Sequence, residues 1–150
     1  AGTAIPAASA ADGAALETEL RRAHAGQRVL LAEDNEINRE VVLELLSDIE
    51  LRVDAAEDGE QALRRLRETP YDLVLMDVQM PVMDGLAATR EIRRLPGCET
   101  LPILALTANT YEEDIAACLA AGMNAHVAKP VDPDRLYRTL QAWLPRRTDA

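Results

Sequence analysis

The stretch Leu73-Val74-Leu75-Met76-Asp77-Val78-Gln79-Met80-Pro81-Val82-Met83-Asp84-Gly85 decides how this chain folds. Its first four residues are apolar without alternation, which reads as a short strand covered on both faces and central in a parallel sheet. Asp77 ends the run. Pro81 shapes a loop, and Asp84 stands where a cap is needed for a helix that starts at Gly85. That helix is expected to reach residue 94, with Ala88, Ile92 and Leu95 on one side and Pro96-Gly97 as its stop.

The same order of strand, polar end and helix recurs on both sides. Val29-Leu30-Leu31-Ala32 is a first buried strand, and Ile37, Val41, Leu45 and Ile49 fall at steps of four, predicting the inward stripe of a helix. Residues 52–56 form a weaker strand, and Asp58-Gly59 turns into a helix carrying Ala62, Leu63 and Leu66. Ile103-Leu104-Ala105-Leu106 is the fourth strand. Tyr111, Ile115 and Cys118 mark a helix closed by Gly122, and residues 125–128 are a brief fifth strand. Asp132 caps a last helix with Pro133 in its first turn and Leu136, Leu140, Trp143 and Leu144 turned inward. Five βα repeats in one run predict an α/β domain on a parallel sheet.

Composition sets the outer limits. The chain has 150 residues, 48% of them hydrophobic, enough for one domain with a core that needs no disulfide or metal staple. That core is aliphatic, since Phe is absent and Trp143 is the single tryptophan. Acids outnumber bases 26 to 16, a net charge of −10 that repels phosphate backbones and argues against direct nucleic-acid binding. Cys98 and Cys118 form no CxxC, which speaks against a disulfide framework or a zinc site. No apolar run approaches the roughly 18 residues of a membrane span.

Residues 1–26 have a different texture. The Ala-rich start reads as a linker or appended extension, partly helical where residues 16–25 form a turn or two. Without a starting Met or a basic-then-apolar leader, it is expected to be part of a longer polypeptide rather than a signal peptide. His24 lacks the acidic amphipathic surroundings of a phosphodonor histidine. The domain itself is placed at 27–145, with residues 146–150 as a tail.

In an open parallel sheet, ligands gather beyond the carboxyl ends of the strands. Glu33-Asp34, Asp77, Thr107 and Lys129 all fall at such ends. Each has a bland reading alone, but five together are hard to dismiss. Three converging carboxylates repel and call for a cation; a hard divalent ion such as Mg²⁺ takes carboxylates, waters and phosphate oxygens. Asp77 is then a nucleophile toward a phosphoryl group, Lys129 neutralises charge on its oxygens, and Thr107 donates a hydrogen bond to one of them.

With these residues in place, the stretch from Asp77 to Gly85, the pair Glu33-Asp34, Thr107-Ala108 and Lys129-Pro130 resemble the signatures of response-regulator receiver domains. The resemblance covers about residues 27–145. It implies a flavodoxin-like (βα)5 doubly wound sheet of order 2-1-3-4-5, with Asp77 as phosphoacceptor. It also implies Mg²⁺ (or Mn²⁺) held by Glu33, Asp34, Asp77 and the Gln79 backbone carbonyl. Thr107 and Lys129 would bind the phosphoryl group, Gln79 and Asn109 would tune its lifetime, and Lys129-Pro130 would be a cis bond.

Two departures stand out. Glu33 occupies a position where Asp is common, and its extra methylene suits a metal contact through water, leaving Asp34 as the direct ligand. His126 occupies a switch position usually held by Tyr or Phe. It is either a half-exposed strand residue or a switch that rotates inward with Thr107 and adds pH dependence. The other marked residues read as structural: the four methionines as packing, Cys118 as a core thiol, Cys98 as a loop thiol, Glu112, Glu113 and Asp114 as a helix N-terminus.

Glu33-Asp34-Asn35 with Ile37 and Asn38, the Asp77 loop and Leu106-Thr107-Ala108-Asn109 are most similar to receivers attached to hybrid sensor histidine kinases. The resemblance therefore implies a kinase phosphohistidine donor, in the same chain, and a histidine phosphotransfer domain as partners, with a weak homodimer also expected. It implies a cytoplasmic setting, a membrane-anchored parent and no membrane contact by this domain. Alternatives are a stand-alone response regulator, a non-phosphorylated interaction module on the same fold, and an aspartyl phosphatase; the last would want a second acid where Gln79 stands. On phosphorylation, Tyr111, His126 and Tyr137 are expected to report the shift.

Overall fold

The computed structural model describes residues 5–145; the 146–150 tail and the first four residues lie outside it. Five strands, β1 (Arg28–Ala32), β2 (Arg52–Ala56), β3 (Leu73–Asp77), β4 (Ile103–Thr107) and β5 (Ala125–Ala128), form one parallel sheet of order β2-β1-β3-β4-β5. Period-two alternation sorts their side chains into two cores. Leu30, Ala32, Val74, Met76, Ile103 and Ala105 point to one face, and Val29, Leu31, Leu73, Leu75, Leu104 and Leu106 to the other. The quoted stretch is indeed central: every residue of β3 is buried.

Helices cover both faces. α3 (Gly59–Glu68), α4 (Gly85–Ile92) and α5 (Glu112–Ala121) close one core through Leu63, Ile92 and Cys118. α1 (Ile5–His24), α2 (Glu36–Asp48) and α6 (Pro133–Trp143) close the other through Leu20, Leu46, Leu136 and Tyr137. Each burial of such a side chain is worth about 1.5–3 kcal/mol. Caps fall where the sequence puts them: Asp58, Asp84 and Asp132 accept from Gln61, Ala87 and Arg135 backbone N–H groups. Gly122 ends α5 at φ 114, a left-handed conformation that glycine adopts without cost.

Three sequence readings need correction. The segment before β1 holds more than a turn or two of helix, because α1 runs from Ile5 to His24 and Leu20 enters the core, only 1% exposed. The stripe of α2 holds at Ile49, which is buried, and partly at Leu45, but before that it is set one residue further on: Val42 and Leu46 are buried, while Ile37 is 73% and Val41 45% exposed. Helical spacing fits both stripes, and β-branched residues at the outer face misled the choice. Trp143 lies at the end of α6 with 37% of its surface open, and Leu144 alone turns inward there.

The amino-terminal edge of the sheet closes with hydrogen bonds. His24 Nδ1 faces Gln27 Oε1 at 2.6 Å, and Gln27 Nε2 donates to the Pro145 carbonyl at 2.9 Å, joining the two flanks of the domain. His24 is thus a structural residue, as its surroundings in the sequence suggested. Nearby, Arg93 donates all five N–H bonds, to Gly122, Cys98, Leu101 and Asn124, and locks the ends of α4 and α5 to the entry of β4. Nothing in the sequence singled out Arg93.

Candidate functional site

Ladder register brings the site together. Ala32 pairs with Met76, so Glu33 follows β1 at the level of Asp77; Thr107 pairs with Ala128, so Lys129 follows beside Thr107. The ladder runs on past the strands, with Glu33 N–H donating to the Ala56 carbonyl and Lys129 N–H to the Thr107 carbonyl. The Lys129-Pro130 bond is cis, the form the resemblance implied.

The loop after Asp77 is folded back tightly. Gly85 N–H donates to the Val78 carbonyl, and a Cβ at Gly85 would sit 2.2 Å from the Asp77 carbonyl oxygen. Only glycine fits that approach. Farther along, Gly59 N–H donates to the Met83 carbonyl at 3.0 Å, anchoring the loop to α3. Between these anchors Val82 is held at φ 68, unusual for a β-branched residue, with Met83 N–H bonded to the Pro81 carbonyl at 2.7 Å. Met80-Pro81 therefore shapes the loop, as read from the sequence. Gly59 was read there only as a turn residue.

Within one cleft of about 280 Å³ lie Glu33, Asp34, Asp77, Thr107 and Lys129, with Gln79 and Asn109 at its walls. Glu33, Asp34 and Asp77 each offer an oxygen, all within 4.8 Å of one another, an arrangement that fits a divalent cation. Burial differs sharply among them. Glu33 is fully buried and Asp77 4% exposed, whereas Asp34 is open to solvent.

The Lys129 ammonium bridges the two buried acids. It lies 3.2 and 3.1 Å from the two Glu33 oxygens and 2.9 Å from Asp77 Oδ2. Repulsion among the carboxylates is thus already partly met by the chain itself, which the sequence argument had left to a metal. Three carboxylates against one ammonium still leave two negative charges, the amount a divalent ion supplies. Burial, and then the Glu33 carboxylate, push the Asp77 carboxyl up to about 6, although Lys129 opposes the shift. Burial works against the Lys129 ammonium, yet Asp77 and Glu33 outweigh it and hold its pKa above the ordinary value.

Thr107 is buried, and its hydroxyl donates to the Asn109 carbonyl at 2.8 Å while accepting from Asn109 N–H at 3.0 Å. It is therefore engaged with its own loop. Gln79 N–H approaches Asp77 Oδ1 at 3.3 Å, and the Gln79 side chain is exposed. His126 lies apart from the cleft: it is exposed on β5, beside Arg135 and Arg138. Tyr111 is exposed before α5, and Tyr137 is buried with its hydroxyl donating to the Leu45 carbonyl at 2.8 Å. Asp84 caps α4 and has no part in the cleft.

Comparison with known proteins agrees with this geometry. A family model described as response regulator receiver domain matches residues 29–141. The chain is 44% identical over 130 residues to two-component system protein A of Emericella nidulans, covering 85% of this chain and 19% of that protein. Bacterial and plant histidine kinases are further relatives, and the chain spans less than a fifth of the length of these first curated matches. The receiver domain of sensor histidine kinase PA1611 from Pseudomonas aeruginosa, crystallised with magnesium in its active-site cleft, has TM-score 0.75 and 46% identity, over 79% of this chain and 98% of that one. The receiver domain of Ssk1 from Saccharomyces cerevisiae, crystallised with the histidine phosphotransfer protein Ypd1, has TM-score 0.74 and 28% identity, over 79% and 89%. The family model's match runs from β1 into α6 and encloses every residue of the acidic cleft, and the chain belongs to the response regulator receiver domains of two-component systems.

Proposed function

We propose that the chain accepts a phosphoryl group on Asp77 from a phosphohistidine. An Asp77 carboxylate oxygen attacks phosphorus to form an acyl phosphate, the P–N bond to the imidazole breaks, and the imidazole leaves with the electron pair and takes a proton. The observation that carries this reading is the placement of Asp77, buried yet lining the cleft, beside Lys129 on one side and the exposed Asp34 on the other.

Mg²⁺ (or Mn²⁺) would be held by Asp34, Asp77 and the Gln79 carbonyl, with Glu33 nearby; when bound it offsets the carboxylate charge and that of the incoming phosphoryl group. Lys129 exchanges Asp77 Oδ2 for a phosphoryl oxygen once Asp77 carries the acyl phosphate. Thr107 releases the Asn109 carbonyl and donates to another oxygen. Gln79 and Asn109 flank the phosphate and set how readily water reaches it. His126 would act as a switch by turning inward as Thr107 moves.

The donor and acceptor partners are proteins. Exposed Val41, with Pro130 and Val131, lines a small apolar groove that reaches Glu33 and Lys129 of the cleft. A helical phosphohistidine protein covering this rim would dry the site during transfer. The likeness to the PA1611 receiver supports a place in a hybrid histidine kinase, and the Ypd1–Ssk1 complex supports a phosphotransfer domain as partner. The setting is cytoplasmic, with the parent kinase anchored in the membrane, and a weak homodimer of receivers fits the same scheme.

Incubation with acetyl phosphate and Mg²⁺ tests the central step. Intact mass is expected to show one added phosphoryl group, lost with EDTA and absent in Asp77→Asn. Label retained in Asp77→Asn would overturn the assignment. Steady turnover of phosphomonoesters would point to a phosphatase instead.

A further inference from the structure

Helix α1 lies wholly before residues 29–141, the part of the chain that matches the receiver family, yet it is built into the domain. Its inward stripe is Leu16, Leu20 and His24, successive turns of one helical face; Leu16 packs against the core, and the other two are buried. The turn that follows is locked to the far side of the sheet. Gly26 N–H donates to the Glu50 carbonyl at 2.9 Å, and the Gln27 carbonyl accepts from Arg52 N–H at 2.8 Å.

Two helices lie under this stripe. α1 packs along α6, and Arg21 Nη1 donates to the carbonyl of Asp48, the last residue of α2, at 3.1 Å. All three helices meet at Tyr137 of α6, whose buried hydroxyl donates to the Leu45 carbonyl of α2. Burial, and then the Glu17 and Asp48 carboxylates of α1 and α2, push that phenol up to about 12, with Arg21 opposing. Both covered helices begin at the acidic cleft. α2 is capped by Asn35, which lines the cleft with Asn38, and α6 is capped by Asp132, just beyond the Lys129-Pro130 bond. A helix shifts as a rigid element, so a displacement at the cleft end of either one reaches the end that α1 spans.

Building on the phosphoacceptor reading, we propose that α1 is a strap that senses the cleft, docked most tightly while Asp77 is unmodified and loosened when a phosphoryl group occupies it. Lys129 then draws residues 130–132 along as it changes partner, and α6 moves against α2. A single helix fastened to both cannot keep Leu20 seated and Arg21 on Asp48 through that movement. By linkage, loosening α1 favours the occupied cleft by the same factor.

Hydrogen exchange on the whole chain tests this, in Mg²⁺ with and without beryllofluoride as a phosphoryl mimic. With beryllofluoride bound, the amides of residues 18–25 are expected to exchange about fivefold faster, while those of β1 and β3 do not speed up. In the reverse direction, Leu20→Ala should bind beryllofluoride about fivefold more tightly than the parent, read from the saturable backbone shift of Val78. Arg21→Ala, which removes a half-buried side chain outside the core, should act with the same sign and a smaller factor; it carries this arm alone if Leu20→Ala does not fold. Saturable binding with unchanged or slower exchange in α1 would overturn the proposal, and so would parent affinity in the folded variants. Failure of the function reading looks different: the parent chain would then show no saturable shift at Val78, and the strap would fall with it.

Discussion

The two edges of the sheet solve the same problem in opposite ways. Both bury charged or polar side chains beside strand ends. At the amino edge, Arg93 spends each N–H on a carbonyl or amide oxygen, and Gln27 links His24 to Pro145. At the carboxyl edge, Lys129 satisfies parts of two acids and leaves the cluster two charges short of neutral. A buried polar group whose bonds are completed within the chain fastens structure, whereas one left short of charge marks a place for something that comes and goes.

The largest effect on the fold is expected where the completed network is cut. Arg93→Ala would leave the Gly122, Cys98 and Leu101 carbonyls without their donor and cost about 3 kcal/mol or more in urea unfolding. Acetyl phosphate labelling of the molecules that remain folded should be unchanged. A labelling defect at full folding would break the contrast by tying the amino edge to the chemistry.

Leu20→Ala comes next, at about 2–3 kcal/mol, because it opens a cavity where α1 meets α6. A loss below about 0.5 kcal/mol would mean that α1 is not docked as described.

The carboxyl edge responds in the other direction. Burial pushes the Asp77 carboxyl up to about 6 in the folded chain, from an ordinary value of 3.8. Its contribution to stability is therefore present below about pH 4 and lost as the pH rises through about 6. In the metal-free chain, Asp77→Asn should be more stable than the parent by about 1–2 kcal/mol at pH 7 and equal to it near pH 4. Mg²⁺ should reverse that order by stabilising only the parent. Equal stabilities at both pH values would remove the idea of an unfinished edge. The smallest effect belongs to Tyr137→Phe, which removes one bond to the Leu45 carbonyl and should cost about 0.5–1.5 kcal/mol.

How much of this was legible in the sequence depended on whether a signal is local. Strand runs, helix caps and the polar ends of β1, β3, β4 and β5 are local, and they identified both the sheet and the residues that share the cleft. The inward face of α2 was not, since Ile37-Val41 and Val42-Leu46 have the same spacing and only packing distinguishes them. Nor was Arg93, whose partners lie in two separate connections, α4 to β4 and α5 to β5. The pairing of Glu33 with Lys129 spans 96 residues, and it depends on the length of one side chain. The Ala-rich start hid α1 because composition alone does not reveal that Leu20 has a surface to dock on.

One titration sets the two edges against each other. Mg²⁺ added to the isotope-labelled chain should produce saturable backbone shifts at Glu33, Asp34, Asp77, Val78, Gln79 and Lys129, and none at His24, Gln27, Arg93 or Asn124. Saturable shifts at the amino edge, or none at the carboxyl edge, would contradict the claim that the carboxyl edge is the incomplete one.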